Sequence, residues 1–294
     1  MIRNPKVLVL GSTGMLGHQL CNYLISNSEY ILFDTAKSAK FRSDTTLIDV
    51  TDEKKLCAYI ERINPDYIVN CIGVLISGSN NNIANAILIN SYLPHLLVRV
   101  ASKINSTLIH ISTDCVFSGK KGGYVESNYK DGQGVYAQTK ILGEILDSKN
   151  LTLRTSIVGP EIRENGEGLF HWFMSQEGSV SGFTKAIWSG VTTIELAKAI
   201  KWSIDNHITG LYHVTNNSSI SKYELLQLFQ KYTKKDISIK PLDGENIDKS
   251  FIDTRTLLDY KIPSYDQMIS DMVSLIANNR NLYSQYKVEI FDKE

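Results

Sequence analysis

The sequence predicts an α/β fold in which a doubly wound parallel sheet is followed by a smaller, mixed C-terminal region. Short apolar runs typical of buried strands occur at Lys6–Leu10, Tyr30–Phe33, Thr46–Ile48, Tyr67–Cys71, Thr107–Ile111 and Leu151–Leu153. Amphipathic stretches of helical length separate most of these runs, at Leu16–Leu24, Glu53–Ile63, Ala84–Ile104 and Val135–Leu146. Strands that alternate with helices pair in parallel through crossover connections, so the first half of the chain is expected to form one parallel sheet.

The alternation of strands and helices stops beyond Gly159-Pro160. Aromatic residues gather there, at Phe170, Trp172, Phe173, Phe183 and Trp188. We therefore assign residues 1–158 to the first domain and 159–294 mainly to a second region. The apolar run Gly210–Val214 is typical of a buried strand, so the chain is expected to return to the first sheet around residues 190–215.

Composition excludes several classes of protein. The 294 residues include 31 Lys and Arg against 31 Asp and Glu, which leaves no basic field for nucleic-acid binding. The longest mostly apolar stretch, Tyr67–Ile76, is far shorter than the roughly 18 residues of a membrane-spanning helix. No secretory signal is visible. The four cysteines lack the spacing of a zinc site, so we expect a cytoplasmic protein with the free thiols Cys21, Cys57, Cys71 and Cys115.

A glycine-rich loop follows the first predicted strand. Gly11 permits the tight turn, Gly14 lets the backbone approach a pyrophosphate, and Gly17 lets the next helix pack on the sheet. Unpaired N–H groups at the start of that helix would face the anion. The loop predicts a Rossmann-type domain that binds NAD or NADP through Gly11, Thr13, Gly14, Met15, Leu16 and Gly17.

The second predicted strand ends at Asp34, where a carboxylate would accept hydrogen bonds from the adenosine ribose and favour NAD. Lys37, Lys40 and Arg42 follow closely. These cations would hold the 2′-phosphate of NADP or form a solvated surface loop. The sequence leaves the choice of cofactor open.

Asp49 and Val50 close the third predicted strand. Asp49 would accept a hydrogen bond from the adenine amino group while Val50 packs on the ring. Alternatively, Asp49 is an N-cap ahead of the helix that begins at Glu53.

Three residue types typical of proton transfer follow in order along the chain. Thr113 stands just after a strand, and Tyr136 and Lys140 have the i, i+4 spacing of one helix face. Lowering a phenol pKa from about 10 towards 7 takes roughly 4 kcal/mol, which a nearby ammonium group and an oxidised nicotinamide would supply. A second Tyr-x-x-x-Lys, Tyr283 and Lys287, lacks this context and is expected on a solvated terminal helix.

The glycine loop, Ser112-Thr113-Asp114 and the Tyr136/Lys140 pair together resemble the extended short-chain dehydrogenase/reductase superfamily. Within it, the sequence is most similar to the dTDP-4-dehydrorhamnose reductase family. The segments that carry this resemblance are Val69-Asn70-Cys71, Ile89-Asn90, Ile111 to Gly119, Gly143-Glu144, Leu153 to Ser156, Gly190 to Thr193, Glu195 to Ala197 and Gly210 to Val214.

This resemblance implies an NAD(P)H-dependent oxidoreductase of carbohydrate biosynthesis, which reduces the 4-keto group of a nucleotide-linked 6-deoxy sugar. Thr113 would position the C4 oxygen, Tyr136 would protonate it, and Lys140 would hold the nicotinamide ribose. Asn90 would support the catalytic helix from behind. Asp114 would assist with hydrogen bonds or cap the following turn. The predicted cofactor set also includes Cys71 and Gly73.

The sequence departs from the family at several positions. Cys115 and Ser118 replace the common Tyr and Asp, and Ile157 replaces an aromatic residue, so the exact sugar is undetermined. Cys115 also replaces the Glu of the related dehydratases, which disfavours water elimination. Gln19 stands where some members use Glu to bind magnesium, and a neutral amide is a poor ligand for that cation, so we expect no metal site.

Substrate contacts in the second region are expected from Trp172, Trp188 and Arg255, because Arg255 suits forked phosphate contacts and the aromatic rings suit a base or sugar. Lys185 and Tyr212 are weaker candidates. Two other functions remain open: a sugar-nucleotide epimerase, and a non-catalytic NADP-binding subunit like the regulatory subunit of methionine adenosyltransferase. A homodimer is possible.

Overall fold

The computed structural model describes residues 3–255 and 260–288. The strands are β1 (Lys6–Leu10), β2 (Ile31–Ala36), β3 (Thr46–Leu47), β4 (Tyr67–Asn70), β5 (Thr107–Thr113), β6 (Leu151–Thr155), β7 (Ile157–Val158), β8 (Ser179–Phe183), β9 (Ala186–Trp188), β10 (Val191–Thr192), β11 (Gly210–His213), β12 (Ile220–Ser221), β13 (Ser238–Leu242) and β14 (Ile247–Asp248). The α-helices are α1 (Met15–Asn27), α2 (Glu53–Ile63), α3 (Ile76–Asn81), α4 (Ile83–Ala86), α5 (Leu93–Lys103), α6 (Gly134–Leu142), α7 (Leu169–Ser175), α8 (Thr193–Asp205), α9 (Lys222–Thr233) and α10 (Tyr265–Asn278).

Seven strands form one parallel sheet in the order β3-β2-β1-β4-β5-β6-β11. The order reverses at β1, which opens a crevice between the carboxyl ends of β1 and β4 where ligands of such sheets bind. The predicted doubly wound α/β fold is therefore confirmed. The predicted return of the chain is also present, since β11 pairs with β6 from Gly210 opposite Leu151 to His213 opposite Arg154.

Several element boundaries differ from the predicted ones. Strand β2 continues to Ala36 instead of ending near Phe33, and β5 continues to Thr113. The long predicted helix Ala84–Ile104 consists of α4, a π-helical turn over Ile87–Tyr92, and α5. Local apolar patterning cannot reveal these extensions, because backbone pairing with a neighbouring strand determines where a strand stops.

The two faces of the sheet carry separate apolar clusters. Helices α2 and α5 cover one face with Leu56, Ile60 and Leu97. The other face packs against α1 and α8, and its cluster continues without a break into α9 and α10, through Phe229 and Met272. The C-terminal region therefore shares its core with the parallel sheet.

The helical run Ile83–Lys103 is long and apolar enough to cross a bilayer by length and composition alone. Half of the most apolar 18-residue stretch of this run is buried inside the protein. Leu96, Leu97 and Val100 pack in the apolar cluster that α5 shares with α2. We attribute the hydropathy of this run to its place in the core, and the expected lack of a membrane partner stays a prediction.

The prediction of a solvated terminal helix around Tyr283 is wrong. Tyr283 lies in turns beyond α10 and is 1% exposed. Its hydroxyl lies 2.9 Å from Nε2 of His18 and also accepts a hydrogen bond from the Gln19 amide. Because Gln19 is buried in this contact, its side chain faces the interior of the protein.

Candidate active site

The start of α1 is the feature that fits a dinucleotide. Gly11 has φ +86°, and the backbone N–H groups of Gly11 and Ser12 both donate to the Thr35 carbonyl at 2.9 Å. A Cβ on Gly17 would lie 2.1 Å from the Gly11 carbonyl oxygen, so only glycine permits this close approach. Helix α1 begins after Gly14 with no side-chain cap. By contrast, side chains cap α2, α8, α9 and α10, through Asp52, Thr192, Ser221 and Ser264.

The uncapped N–H groups of α1 carry the positive end of the helix dipole, and together they fit a pyrophosphate. Thr13 lies in this loop, where its hydroxyl accepts a hydrogen bond from Arg163 at 3.3 Å. The neighbouring residue Met15 reaches the loop near Gly168, and Leu16 is buried.

The loop after β4 forms the other side of the crevice. The Cys71 N–H donates to the Leu10 carbonyl at 3.1 Å, and the Ile72 side chain would lie 2.8 Å from a Cβ on Gly11. Gly73 lies beside the Asn90 side chain. The structure thus brings the predicted cofactor residue Cys71 to the glycine loop and places Gly73 next to Asn90.

Asp34 does not occupy the position expected of a ribose acceptor. It pairs with Val9 inside the sheet, two residues before β2 ends, and is 1% exposed. One carboxylate oxygen accepts from Arg42 Nε at 3.0 Å and the other from the Thr45 hydroxyl at 2.6 Å. This carboxylate holds the loop after β2 and is not free to accept from a ribose, which corrects the sequence-based assignment.

Asp49 lies on the surface beyond β3 and does not cap a helix. Its carboxylate accepts from the backbone N–H and hydroxyl of Thr51, and it pairs with Lys37 Nζ at 3.1 Å. These contacts with Thr51, and then with Lys37, lower the pKa of Asp49. The residue that caps α2 is Asp52. Val50 packs partly buried against the α2 cluster.

Thr113, Tyr136 and Lys140 converge at the carboxyl edge of β5. Thr113 is the last residue of β5, and its hydroxyl donates to Asp114 at 3.1 Å and interacts with the Tyr136 phenol. Lys140 lies one turn further along α6 and donates from Nζ to the Ile111 carbonyl at 2.8 Å. The predicted catalytic residues therefore meet at one point of the sheet.

The electrostatics of the site differ from the sequence-based expectation of a lowered phenol pKa. Burial raises the pKa of Tyr136 well above its usual value, and Cys115 adds to this, while the hydrogen bond with Thr113 opposes it. Burial also lowers the pKa of Lys140 to about 8, against the attraction of Glu144. The Lys140 ammonium is directed at a backbone carbonyl, and the phenol keeps its proton at neutral pH.

Asn90 supports α6 from behind, as the resemblance implied. Its amide donates to the Val74 carbonyl at 2.9 Å and to the Thr139 hydroxyl at 3.2 Å, and its oxygen accepts from the Val74 N–H. The neighbouring Ser91 hydroxyl donates to the Thr139 carbonyl at 2.8 Å. Both residues lie in the π-helical turn, which thereby joins the loop after β4 to the helix of Tyr136.

A buried ionic cluster below α6 was not found by sequence reasoning. Glu144 accepts two hydrogen bonds from Arg154, at 2.6 and 2.8 Å, and further bonds from Lys130 and Ser112. Despite burial, these donors, with Arg154 the strongest, lower the pKa of Glu144. The sequence did point to these residues, because Gly143-Glu144 and Arg154 lie in segments that resemble the family. The resemblance assigned no role to them.

A cavity of about 290 Å³ opens beside Tyr136. Its walls come from helix α3, the segment after β5, the start of α6 and the segment after β14. The lining residues are Ile76, Asn80, Cys115, Phe117, Ser118, Lys120, Gln133, Gly134, Val135, Tyr136, Ala137 and Lys249. Sequence reasoning missed Lys249, because nothing local predicts that a residue so distant along the chain reaches this wall.

The structure does not bring the three distant substrate candidates to this cavity. Trp188 is 2% exposed in the core, and Trp172 lies on the surface of α7. The Arg255 guanidinium lies 4.6 Å from the centre of the Tyr212 ring, close to Gly210. Gly210 begins β11, so Arg255 is at the amino end of the sheet, opposite Thr113.

Comparison with known proteins identifies the family. The family described as the RmlD substrate binding domain matches residues 5–250. The chain belongs to this family. The chain is 28% identical to the spore coat polysaccharide biosynthesis protein SpsK of Bacillus subtilis over 225 residues, which cover 74% of this chain and 76% of that protein.

Two dTDP-4-dehydrorhamnose reductases are also similar to this chain. A dTDP-4-dehydrorhamnose reductase of Mycobacterium tuberculosis is 31% identical over 155 residues, and the match spans 48% of this chain but only 45% of that protein. The solved dTDP-4-dehydrorhamnose reductase of Bacillus anthracis, in complex with NADP, superposes with a TM-score of 0.80 at 22% identity, covering 92% of this chain and 99% of that one. This likeness confirms the Rossmann-like fold.

Proposed function

We propose that this protein is an oxidoreductase that uses NAD(P)H to reduce the 4-keto group of a nucleotide-linked 6-deoxy sugar. The observation that carries the proposal is the meeting of Thr113, Tyr136 and Lys140 at the same carboxyl edge of the sheet as the uncapped start of α1. The dTDP-4-dehydrorhamnose reductases among its relatives support the same reaction class. A pocket beside Tyr136 leaves room for the sugar.

Each catalytic side chain has a separate task. The bound cofactor supplies the hydride. The Thr113 hydroxyl holds the C4 oxygen of the sugar, and the Tyr136 phenol donates its proton to that oxygen. The phenol is protonated before transfer, as reduction of a ketone requires, although burial makes it a weaker acid. The Lys140 ammonium, one turn away, stabilises the negative charge that develops on the phenol oxygen.

We infer a preference for NADPH over NADH. In NAD-specific sites a free carboxylate after the second strand binds the ribose and repels a 2′-phosphate. Here the Asp34 carboxylate is buried and engaged by Arg42 and Thr45. The exposed side chain of Lys37 follows the end of β2 and, among the residues that the structure describes, pairs with Asp49 on the surface.

The substitution Tyr136→Phe tests the assignment of the proton donor. We expect kcat for NADPH-dependent reduction to fall about 10²- to 10⁴-fold, because general-acid catalysis contributes on that order, while NADPH binding stays intact. Tyr283→Phe is the matched control, since Tyr283 belongs to the other Tyr-x-x-x-Lys pair and its hydroxyl contacts His18 and Gln19 of α1. Equal activity of the two variants would contradict the proposal.

The same assay separates the alternative functions. Stoichiometric consumption of NADPH with a 4-keto nucleotide sugar supports the reductase. Turnover of a nucleotide sugar without net change of the cofactor would instead identify an epimerase. A wild-type protein that binds NADPH but turns over no keto sugar would favour the non-catalytic subunit.

A further inference from the structure

The wall of the cavity opposite Tyr136 carries positive charge. Lys249 follows β14 and lines the cavity together with Cys115 and Tyr136. Its Nζ donates to the Cys115 Sγ at 3.4 Å. The segment that holds Lys249 is fixed at the loop after β5, because the Asp248 N–H donates to the Gly119 carbonyl at 2.7 Å.

The Cys115 thiol does not neutralise the Lys249 ammonium. Burial raises the pKa of Cys115 to about 11, and the nearby Asp114 carboxylate contributes to the rise. The sulfur is therefore a neutral thiol at pH 7, with no negative charge to pair with the lysine. A Tyr at this position, common in the family, would also be neutral but much larger.

A second lysine lies behind the first. Lys222, the first residue of α9, interacts electrostatically with Asp114, Cys115 and Lys249 and lies 5.8 Å from the centre of the Trp188 ring. Trp188 therefore supports this lysine from the core and does not face the cavity. Both ammonium groups therefore lie near Cys115, and Asp114 is the carboxylate that acts on Lys222.

Other charged groups lie at or just outside the cavity wall. The Asp248 carboxylate, next to Lys249, accepts from the Ser250 N–H at 2.9 Å and is not among the lining residues. Lys120 also lines the wall. Asp131 lies behind the wall, where hydrogen bonds from Ser118 and the nearby charge of Lys120 lower the pKa of its carboxyl group. The pocket beside the proton donor is consequently positive, which favours a substrate with an anionic group a short distance from the reacting carbon.

We propose that Lys249, backed by Lys222, forms the anion subsite that receives the diphosphate of the substrate. The sugar ring then lies between this subsite and Tyr136, because both residues line the same cavity. This assignment replaces Arg255, whose guanidinium lies at the other end of the sheet. The identity of the sugar rests on the proposed function, whereas binding of the diphosphate is tested separately.

Calorimetric titration with dTDP and with thymidine, in the presence of NADP, tests the subsite without any turnover. We expect Lys249→Met to weaken dTDP binding about 10- to 100-fold, since a hydrogen bond to a charged group is lost, and to leave thymidine and NADPH binding unchanged. Lys222→Met weakens dTDP binding less, and Lys249→Arg retains most of it. The control is Lys121→Met, because Lys121 is exposed and bonds to Asn128 at 3.1 Å.

Unchanged dTDP affinity in Lys249→Met would overturn the inference, as would an equal loss of thymidine binding or a wild-type protein that binds no dTDP. Circular dichroism and the thermal midpoint establish that each variant is folded. If the wild-type protein binds dTDP through Lys249 but oxidises no NADPH with keto sugars, the proposed function fails and the subsite stands. If turnover is intact and Lys249→Met binds dTDP normally, the subsite fails and the proposed function stands.

Discussion

Tyr136 and Lys140 owe their pKa values to burial more than to each other. Tyr136 and Lys140 are held one turn apart on α6, yet burial shifts their pKa values in opposite directions, so that the phenol stays protonated and the ammonium becomes easier to deprotonate. Sequence spacing predicted which residues meet. It could not predict these pKa shifts, because desolvation depends on packing by residues distant in the chain.

The lowered pKa of Lys140 predicts a pH profile. Below about pH 8 the ammonium is charged, and as pH rises through 8 it loses its proton and with it the stabilisation of the phenolate. We expect kcat/KM for reduction to fall with an apparent pKa near 8, measured between pH 6 and 10. In Lys140→Arg the fall should move above pH 10, because a guanidinium stays protonated there. An unchanged profile in that variant would assign the titration to another group.

Lys37 is the residue expected to select the cofactor. Lys37→Ala should raise KM for NADPH about fivefold, since an exposed ion pair with a 2′-phosphate is worth up to about 1 kcal/mol, and should leave KM for NADH unchanged. Steady-state kinetics with both cofactors measure this difference. Lys40→Ala is the control, because Lys40 bonds to the Ser43 carbonyl. Equal effects on both cofactors would mean that Lys37 does not contact the phosphate.

Helix α6 is held in place at its C-terminal end. Gly143, which ends it, approaches Asn90 so closely that an added Cβ would lie 1.9 Å from the Asn90 carbonyl oxygen. Just beyond, Glu144 is bound to Arg154 of β6 and to Ser112 of β5. The helix that carries Tyr136 is thus tied to the strand that ends in Thr113.

Removal of Arg154 should therefore destabilise the fold. Glu144 and Arg154 have 0% and 2% exposed side chains, and Arg154→Met leaves a buried carboxylate without its main partner. We expect a loss of about 3–5 kcal/mol in the free energy of unfolding, measured by urea denaturation. Lys231→Met, which breaks the exposed pair with Asp266, serves as the control and should change little. A variant as stable as the wild type would show that Lys130 alone compensates Glu144.

Across the whole molecule, the sequence predicts the parallel sheet well and the C-terminal region poorly. Strand β1 and helix α2 have the predicted bounds, because the spacing of apolar residues and the turns that flank an element are local properties of the chain. The positions of Arg255 and Lys249 depend on how short strands such as β14 pair with distant ones. Such contacts leave no periodic pattern in the sequence. The homodimer stays a prediction.

The π-helical turn at Ile87–Tyr92 has a consequence for how this enzyme tolerates change. Such a turn accommodates one residue more than a regular helix, and each residue rotates an α-helix by about 100°. Deleting a single residue there would restore regular geometry and swing Asn90 away from Val74 and Thr139. The number of residues in this stretch is therefore constrained by the contacts of Asn90 with Val74 and Thr139, even where individual side chains are free to vary.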